Sequence, residues 1–170
     1  MSKSITIRQA GNQDLPALWA MAETTRGGKE VGYFEKCLEL QEAGKRLLLM
    51  AVYDGQDAGY GILNWSPKYG LYKKLNIPEI QDLNVTPDFR RRGIASVFIA
   101  HCESLAKQKG YTQMGIAFGL NSFYGAAQRL YIKLGYIPDG EGATYDRKHV
   151  AFGDFKPLDD DLCLMLVKDL

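Results

Sequence analysis

The residues best placed to do chemistry lie between Asn84 and Ser96, NVTPDFRRRGIAS. The stretch reads as the end of an apolar strand, a turn marked by Pro87, three consecutive arginines (Arg90, Arg91, Arg92), and then Gly93-Ile94-Ala95 opening a helix. A strand that feeds a glycine-bearing basic turn and a helix start gathers unpaired backbone N–H groups and the positive end of a helix dipole at one point. That combination suits a phosphate, and the stretch is predicted to be a pyrophosphate cradle.

The elements around it must hold the cradle in place. Ile5 and Ile7 alternate within a short strand from Ser4 to Arg8, and Asn12 or Asp14 caps a helix with Pro16 in its first turn and Leu15, Leu18, Trp19 and Ala22 as its stripe. Thr24 to Lys29, with Gly27-Gly28, is a predicted loop. A second helix is expected from Glu30 to a cap at Gly44, with Val31, Phe34, Cys37, Leu38 and Leu40 on one face. Leu47–Tyr53 and a run from Ala58 to Trp65 flank Asp54-Gly55, a hairpin signal. Gly59 and Gly61 form a GxG in the second of these strands. No third glycine or helix follows, so they are read as strand glycines allowing close approach and not as a dinucleotide site.

Ser66 to Pro78 is expected to be a solvated loop, and Glu79 to Val85 a strand that ends before Pro87. An amphipathic helix is expected from Ile94 to a cap at Gly110, a strand from Thr112 to Phe118, and a helix from Tyr124 to Leu134 with Gly135 as its cap. Tyr136-Ile137 is a short extended piece, Pro138-Asp139-Gly140 a turn, and Thr144 to Val150 a strand in a loop-rich tail. Leu162 to Val167 suits a buried last strand. Helices interleaved with a largely hairpin-connected sheet define a mixed α/β chain.

Composition narrows the function. The chain has 170 residues with 46% hydrophobic and 24% charged, the size and balance of a single globular domain over 1–170. With 21 basic and 20 acidic residues the net charge is +1, against a nucleic-acid or membrane surface, so any anion site is local. Cys37, Cys102 and Cys163 are widely spaced in apolar segments and are expected to be buried thiols. The first residues carry no signal-peptide run, and a cytoplasmic location is expected. His101 and His149 have no partner at metal-ligand spacing, and no metal is expected.

Arg90, Gly93 and Ala95 fit the pattern R/Q-x-x-G-x-G/A, and with Leu83 to Ala95, LNVTPDFRRRGIA, the chain resembles the Gcn5-related N-acetyltransferase (GNAT) superfamily. A second signature, L-Y-x-K-x-G-Y/F, is matched by Leu130, Tyr131, Lys133, Gly135 and Tyr136. The two motifs stand in the family's order with the expected helix and strand between them, and the resemblance covers nearly the whole chain. It implies a GNAT fold: a mixed, mostly antiparallel central sheet of about six to seven strands flanked by about four helices. It further implies that acetyl-CoA is the co-substrate and that the strand splays at a bulge near Leu83, Asn84 and Val85, whose free backbone pairs with the pantetheine arm. The N–H groups of Arg91, Arg92, Gly93, Ile94, Ala95 and Ser96 would hold the pyrophosphate, the arginine side chains would add charge-assisted contacts, and one of the three arginines would contribute nothing measurable.

Acetyl transfer to an amine needs a neutral amine, a proton acceptor and an acid for the departing thiolate. Tyr131 matches the family tyrosine that donates to the CoA sulfur. Glu79 and Asp82, on the strand leading to the site, are the proton-acceptor candidates. Many family members carry an asparagine seven positions before the helix tyrosine; here Tyr124 stands there, with Asn121 three residues earlier as the candidate pantetheine contact. The implied activity is direct transfer from acetyl-CoA to a primary amine of a small molecule or peptide in a ternary complex, by a protein open to homodimerisation. The alternative is a catalytically silent acyl-CoA sensor, which would not need Tyr131.

Overall fold

The computed structural model of the protein describes residues 4–26 and 28–170, so Gly27 of the expected Thr24–Lys29 loop lies outside the described residues. In chain order the elements are β1 (Ile5–Gln9), α1 (Leu15–Thr24), α2 (Tyr33–Glu42), β2 (Arg46–Tyr53), β3 (Gln56–Asn64), α3 (Gly70–Leu75), β4 (Glu79–Val85), α4 (Ile94–Gln108), β5 (Gln113–Gly119), α5 (Gly125–Lys133), β6 (Ile137–Tyr145), β7 (Lys148–His149) and β8 (Leu162–Asp169). They fall into two compact units, Met1–Trp65 with Ile80–Ser104 and Ser66–Glu79 with Leu105–Leu170. Among the described residues there are eight strands and five α-helices, one strand and one helix beyond the expected range.

In the first unit the strands lie in the order β1-β2-β3-β4, with β1, β2 and β3 antiparallel. The β2–β3 hairpin turns on Asp54 and Gly55, both at positive φ (49° and 80°), the conformation of a two-residue primed turn whose twist matches the strands. The apolar faces of α1 and α2 bury Leu18, Met21, Phe34, Cys37 and Leu38 in one cluster with Leu48, Met50, Tyr60 and Ile62 of the sheet. Phe34 is its hub, edge-on to Trp19 (4.9 Å) and Tyr60 (5.2 Å). Gly59 and Gly61 work as expected: a Cβ on Gly59 would collide with the Asn84 carbonyl of β4, and one on Gly61 would lie 2.7 Å from the Phe98 ring. The second helix starts later than its periodicity suggests. Gly32 takes a left-handed φ of 81° immediately before it, which leaves Val31 fully exposed instead of on the apolar face.

Asp14 precedes α1 at the cap position, but its carboxylate turns back to the Gly11 N–H (2.8 Å) and to the Arg8 guanidinium (2.7 Å). The Arg8 hydrogen bond holds the Asp14 carboxyl below its ordinary pKa against the opposing pull of burial. A depressed carboxyl stabilises above the unfolded pKa and loses that contribution as pH falls through the folded one. Asp14→Asn should therefore cost about 1 kcal/mol at pH 7, since Arg8 is partly solvent-screened, and the difference from wild type should close in acid, as followed by urea unfolding at several pH values.

The second unit orders its strands β5-β8-β6-β7, antiparallel at each pair. The Ser66–Pro78 segment is not a solvated loop. Its Tyr69, Tyr72 and Ile77 are buried with Met165, and α3 forms because those side chains have a core to fill. Tyr72 donates to the Leu166 carbonyl at 2.6 Å, and its ring occupies the place a Cβ would take on Gly115. The expected Pro138–Gly140 turn is instead an irregularity within β6: the pairing to β8 jumps between Pro138 and Ala143, and Gly140 and Gly142 take positive φ there. Turn residues serve a wide bulge as well as they serve a turn, which is why the pattern misled. β6 then reverses at Asp146-Arg147, both left-handed, into β7.

α4 begins in the first unit and ends in the second, burying Ile94, Phe98, Ile99, Cys102 and Ala106 along one side. Gly110, at φ 87°, closes it by letting the Tyr111 N–H reach the Ala106 carbonyl at 3.0 Å. All three cysteines are free and buried, as expected of small apolar side chains.

Candidate active site

The arginine turn belongs to the first unit. After β4, a short 3-10 turn over Pro87–Phe89 carries the chain to Arg90, whose Nε donates to the Val85 carbonyl at 3.1 Å. Arg91 and Gly93 both take left-handed φ, 61° and 82°. A Cβ on Gly93 would meet nothing within 4 Å, so within the protein itself the glycine answers to conformation and not to a close neighbour. The N–H of Val97 bonds the Gly93 carbonyl at 3.1 Å, which leaves the N–H groups of Ile94, Ala95 and Ser96 as the helix's unclaimed donors. The three arginines are not equivalent. Arg92 donates to the Asp88 carbonyl (2.9 Å) and lies over the rings of Tyr53 (5.1 Å) and Phe89 (5.5 Å). Arg90 is tied to Val85, while the exposed Arg91 side chain has no partner among the described residues.

β4 departs from regular geometry at Asp82, which sits at φ 50° one residue before Leu83, Asn84 and Val85, all half-buried. The kink breaks the alternation expected along the strand and turns the Asp82 carboxylate toward the helical side of the unit. There it accepts from Lys29 Nζ (2.6 Å), the Tyr33 hydroxyl (2.8 Å) and Asn84 Nδ2 (2.8 Å). Glu79 belongs to the second unit and has a different fate. It is wholly buried, and Arg147 Nη2 lies 2.8 Å from its Oε1. Glu79, one of the two proton-acceptor candidates, is thus a carboxylate shut away from solvent with a guanidinium beside it.

Tyr131 is 7% exposed on α5, its ring 6.5 Å from that of Phe118. Among the described residues its hydroxyl has no hydrogen-bond partner, whereas that of the core Tyr72 donates to the Leu166 carbonyl and that of the core Tyr60 also lacks one. Burial, with a smaller effect from Tyr124, pushes its pKa up, so the hydroxyl keeps its proton. Tyr124 packs against Gly119, where a Cβ would fall 2.5 Å from its ring. Asn121 is committed elsewhere: its Oδ1 accepts from the Phe123 N–H (3.0 Å) and its Nδ2 points to the Asp159 carbonyl and Asp160 Oδ1 (3.3 Å each). Its amide, the candidate pantetheine contact, is thereby tied to the tail.

Three residues that sequence reasoning passed over complete these arrangements. Arg147 sits in the turn between β6 and β7, Lys29 in what reads as a featureless glycine-rich loop, and Tyr33 among the apolar periodicity of α2. None carries a local signal, because each acts on a residue about 50 positions or more away. Among the described residues no group of three or more His, Cys, Asp or Glu side chains could hold a metal, and no helix is long and apolar enough to cross a membrane.

A mixed α/β fold with a strand, arginine-glycine turn and helix, followed by a tyrosine-bearing helix, defines an acyltransferase of the acetyl-CoA-using class. Residues 12–136 match the family model described as Acetyltransferase (GNAT) family, and the chain belongs to that family. Its members use acetyl-CoA as co-substrate. Among solved structures it is similar to the ribosomal-protein-alanine N-acetyltransferase from Brucella melitensis, at 20% identity and TM-score 0.69 over 97% of this chain and 99% of that one. Arabidopsis thaliana Naa50 in complex with the bisubstrate analogue CoA-Ac-MVNAL matches at 13% identity and TM-score 0.68, over 98% and 99% of the chains. The yncA protein from Salmonella typhimurium with its cofactor acetyl-CoA matches at 16% and 0.67, over 97% and 93%. At these identities the likeness is one of fold. Among curated proteins no sequence matches.

Proposed function

We propose that the chain acts as one N-acetyltransferase domain that moves the acetyl group of acetyl-CoA directly to a primary amine of a small molecule or peptide, with Tyr131 as general acid. The observation that carries this reading is Tyr131: a buried side chain whose hydroxyl is held protonated and has no hydrogen-bond partner among the described residues. The acceptor nitrogen attacks the thioester carbon, the C–S bond breaks, and the thiolate takes its proton from Tyr131. Of the two carboxylates, the partly exposed Asp82 is the better placed to take the proton that the amine loses, while Glu79 serves as the counter-ion of Arg147. The backbone of Leu83 to Val85 holds the pantetheine arm, and the N–H groups and arginines from Arg90 to Ser96 hold the pyrophosphate. Small amines and peptides are the two acceptor classes. Free buried thiols fit a cytoplasmic setting.

The arginine turn provides a test. Arg91→Ala removes the arginine of this turn that has no partner among the described residues and should weaken acetyl-CoA binding by about tenfold in calorimetric titration, the loss of a charge-assisted contact. Arg92→Ala should instead lower the melting temperature, because that guanidinium is stacked on Tyr53 and Phe89. Unchanged acetyl-CoA affinity in both variants would rule out the cradle.

A further inference from the structure

The Asp82 carboxylate is built as an ammonium site. Lys29 Nζ lies 2.6 Å from its Oδ1 and 5.0 Å from the centre of the Tyr33 ring, so the cation sees a full negative charge on one side and an aromatic face on another. The Tyr33 hydroxyl and Asn84 Nδ2 fix the carboxylate from two further directions, at 2.8 Å each. Lys29 and Asp82 are only 16% and 18% exposed, so this pair is far from a loose surface contact. Tyr60 and Cys37 border the same network without adding a second anion, and the Cys37 sulfur faces Arg46 at 3.9 Å. Asp82 itself sits at a left-handed φ of 50°, a conformation an aspartate adopts at a cost and one that aims this carboxylate.

A strained carboxylate that clasps an ammonium, one residue before the stretch assigned to the acyl donor, is more than a loop needs for anchorage. We propose that Asp82, Tyr33 and Asn84 form the subsite for the acceptor's reacting ammonium, and that Lys29 fills it as an intramolecular stand-in that a cationic primary amine must displace. This deepens the acetyltransferase reading and rests on it. It narrows the acceptor to amines that arrive charged on an unbranched, lysine-like stem, and it makes Lys29 a competitor whose removal opens the site. No covalent step is added: the incoming ammonium exchanges with the Lys29 ammonium on one carboxylate, and charge is conserved.

Lys29→Ala removes the Lys29 ammonium with three of its four stem carbons, and n-butylammonium, which carries the side chain's full stem and head, is the probe. Titrated with n-butylammonium, Lys29→Ala should show saturable thermal stabilisation, while Lys29→Met, with the hole filled, and Lys29→Ala/Asp82→Asn, with the anion removed, should show none. The KM for n-butylamine in acetyl-CoA thiol release should fall about tenfold in Lys29→Ala relative to wild type, the factor expected when a competitor holding nine-tenths of the sites is removed. In the wild type, whose folding is not at issue, the ion-paired Lys29 ammonium signal in lysine-selective 15N spectra should shift toward that of a free lysine as n-butylammonium is added. Absence of both the variant's stabilisation and the wild-type shift would overturn the subsite. Binding without any change in KM would show an ammonium site that is not the acceptor's, and would overturn its catalytic assignment. A failure of acetyl-CoA to bind would remove the acetyltransferase reading while leaving ammonium binding to be seen.

Discussion

Tyr131→Phe is expected to lower the rate of acetyl transfer by about 100- to 1,000-fold while leaving acetyl-CoA affinity within about twofold, the signature of a lost proton donor. The ring that packs near Phe118 is kept, and no protein hydrogen bond to the hydroxyl is lost, so the fold should be indifferent to the change. Because burial raises the Tyr131 pKa, the acid stays protonated beyond the ordinary tyrosine range, and any alkaline fall in rate due to this group should begin above that range. Single-turnover thiol release by the two proteins at matched acetyl-CoA saturation measures the effect. Equal rates would remove Tyr131 from the chemistry.

The second large effect concerns stability. Arg147→Ala should destabilise the protein by about 3–5 kcal/mol, because it leaves the wholly buried Glu79 carboxylate without its counter-ion. Arg147 also reaches Cys163 Sγ at 4.0 Å, so one guanidinium joins the β6–β7 turn to both β8 and the start of β4 within its unit. Since Arg147 and its replacement share the same left-handed turn position (φ 63°), backbone strain does not enter the comparison. Adding Glu79→Gln to Arg147→Ala should restore much of the loss by removing the stranded charge. Urea unfolding of the two variants beside wild type checks both statements, and a loss under 1 kcal/mol for the single variant would contradict the buried-pair account.

Features written in neighbouring residues are legible in the sequence. The arginine turn, the hairpin at Asp54-Gly55, the close-approach glycines of β3 and the helix ends at Gly110 and Gly135 each follow from a local rule, and each is found. What escaped depends on distant partners. α3 looks polar in sequence because the exposed Lys68, Lys73 and Lys74 flank Tyr69 and Tyr72, and only the core around Met165 explains why the tyrosines bury. Glu79 and Asp82 look alike on one strand, yet Arg147 closes one and the Asp82 kink directs the other toward Lys29 and Tyr33. Asn121 is drawn into the tail by Asp159 and Asp160, an acidic run whose use in sequence is unreadable. The proposed donor side is thus encoded in short motifs, whereas the proposed acceptor side draws on residues with no motif at all.

The account stands or falls on amine-dependent cleavage of acetyl-CoA. Thiol release should be measured with the wild-type protein against a panel of unbranched alkylamines, diamines and peptides with free N-termini. The predicted result is release that saturates with at least one cationic primary amine and yields one acetylated amine per thiol. Tight acetyl-CoA binding with no acceptor-dependent release from any member of the panel would contradict it, and would make the protein a sensor of acyl-CoA.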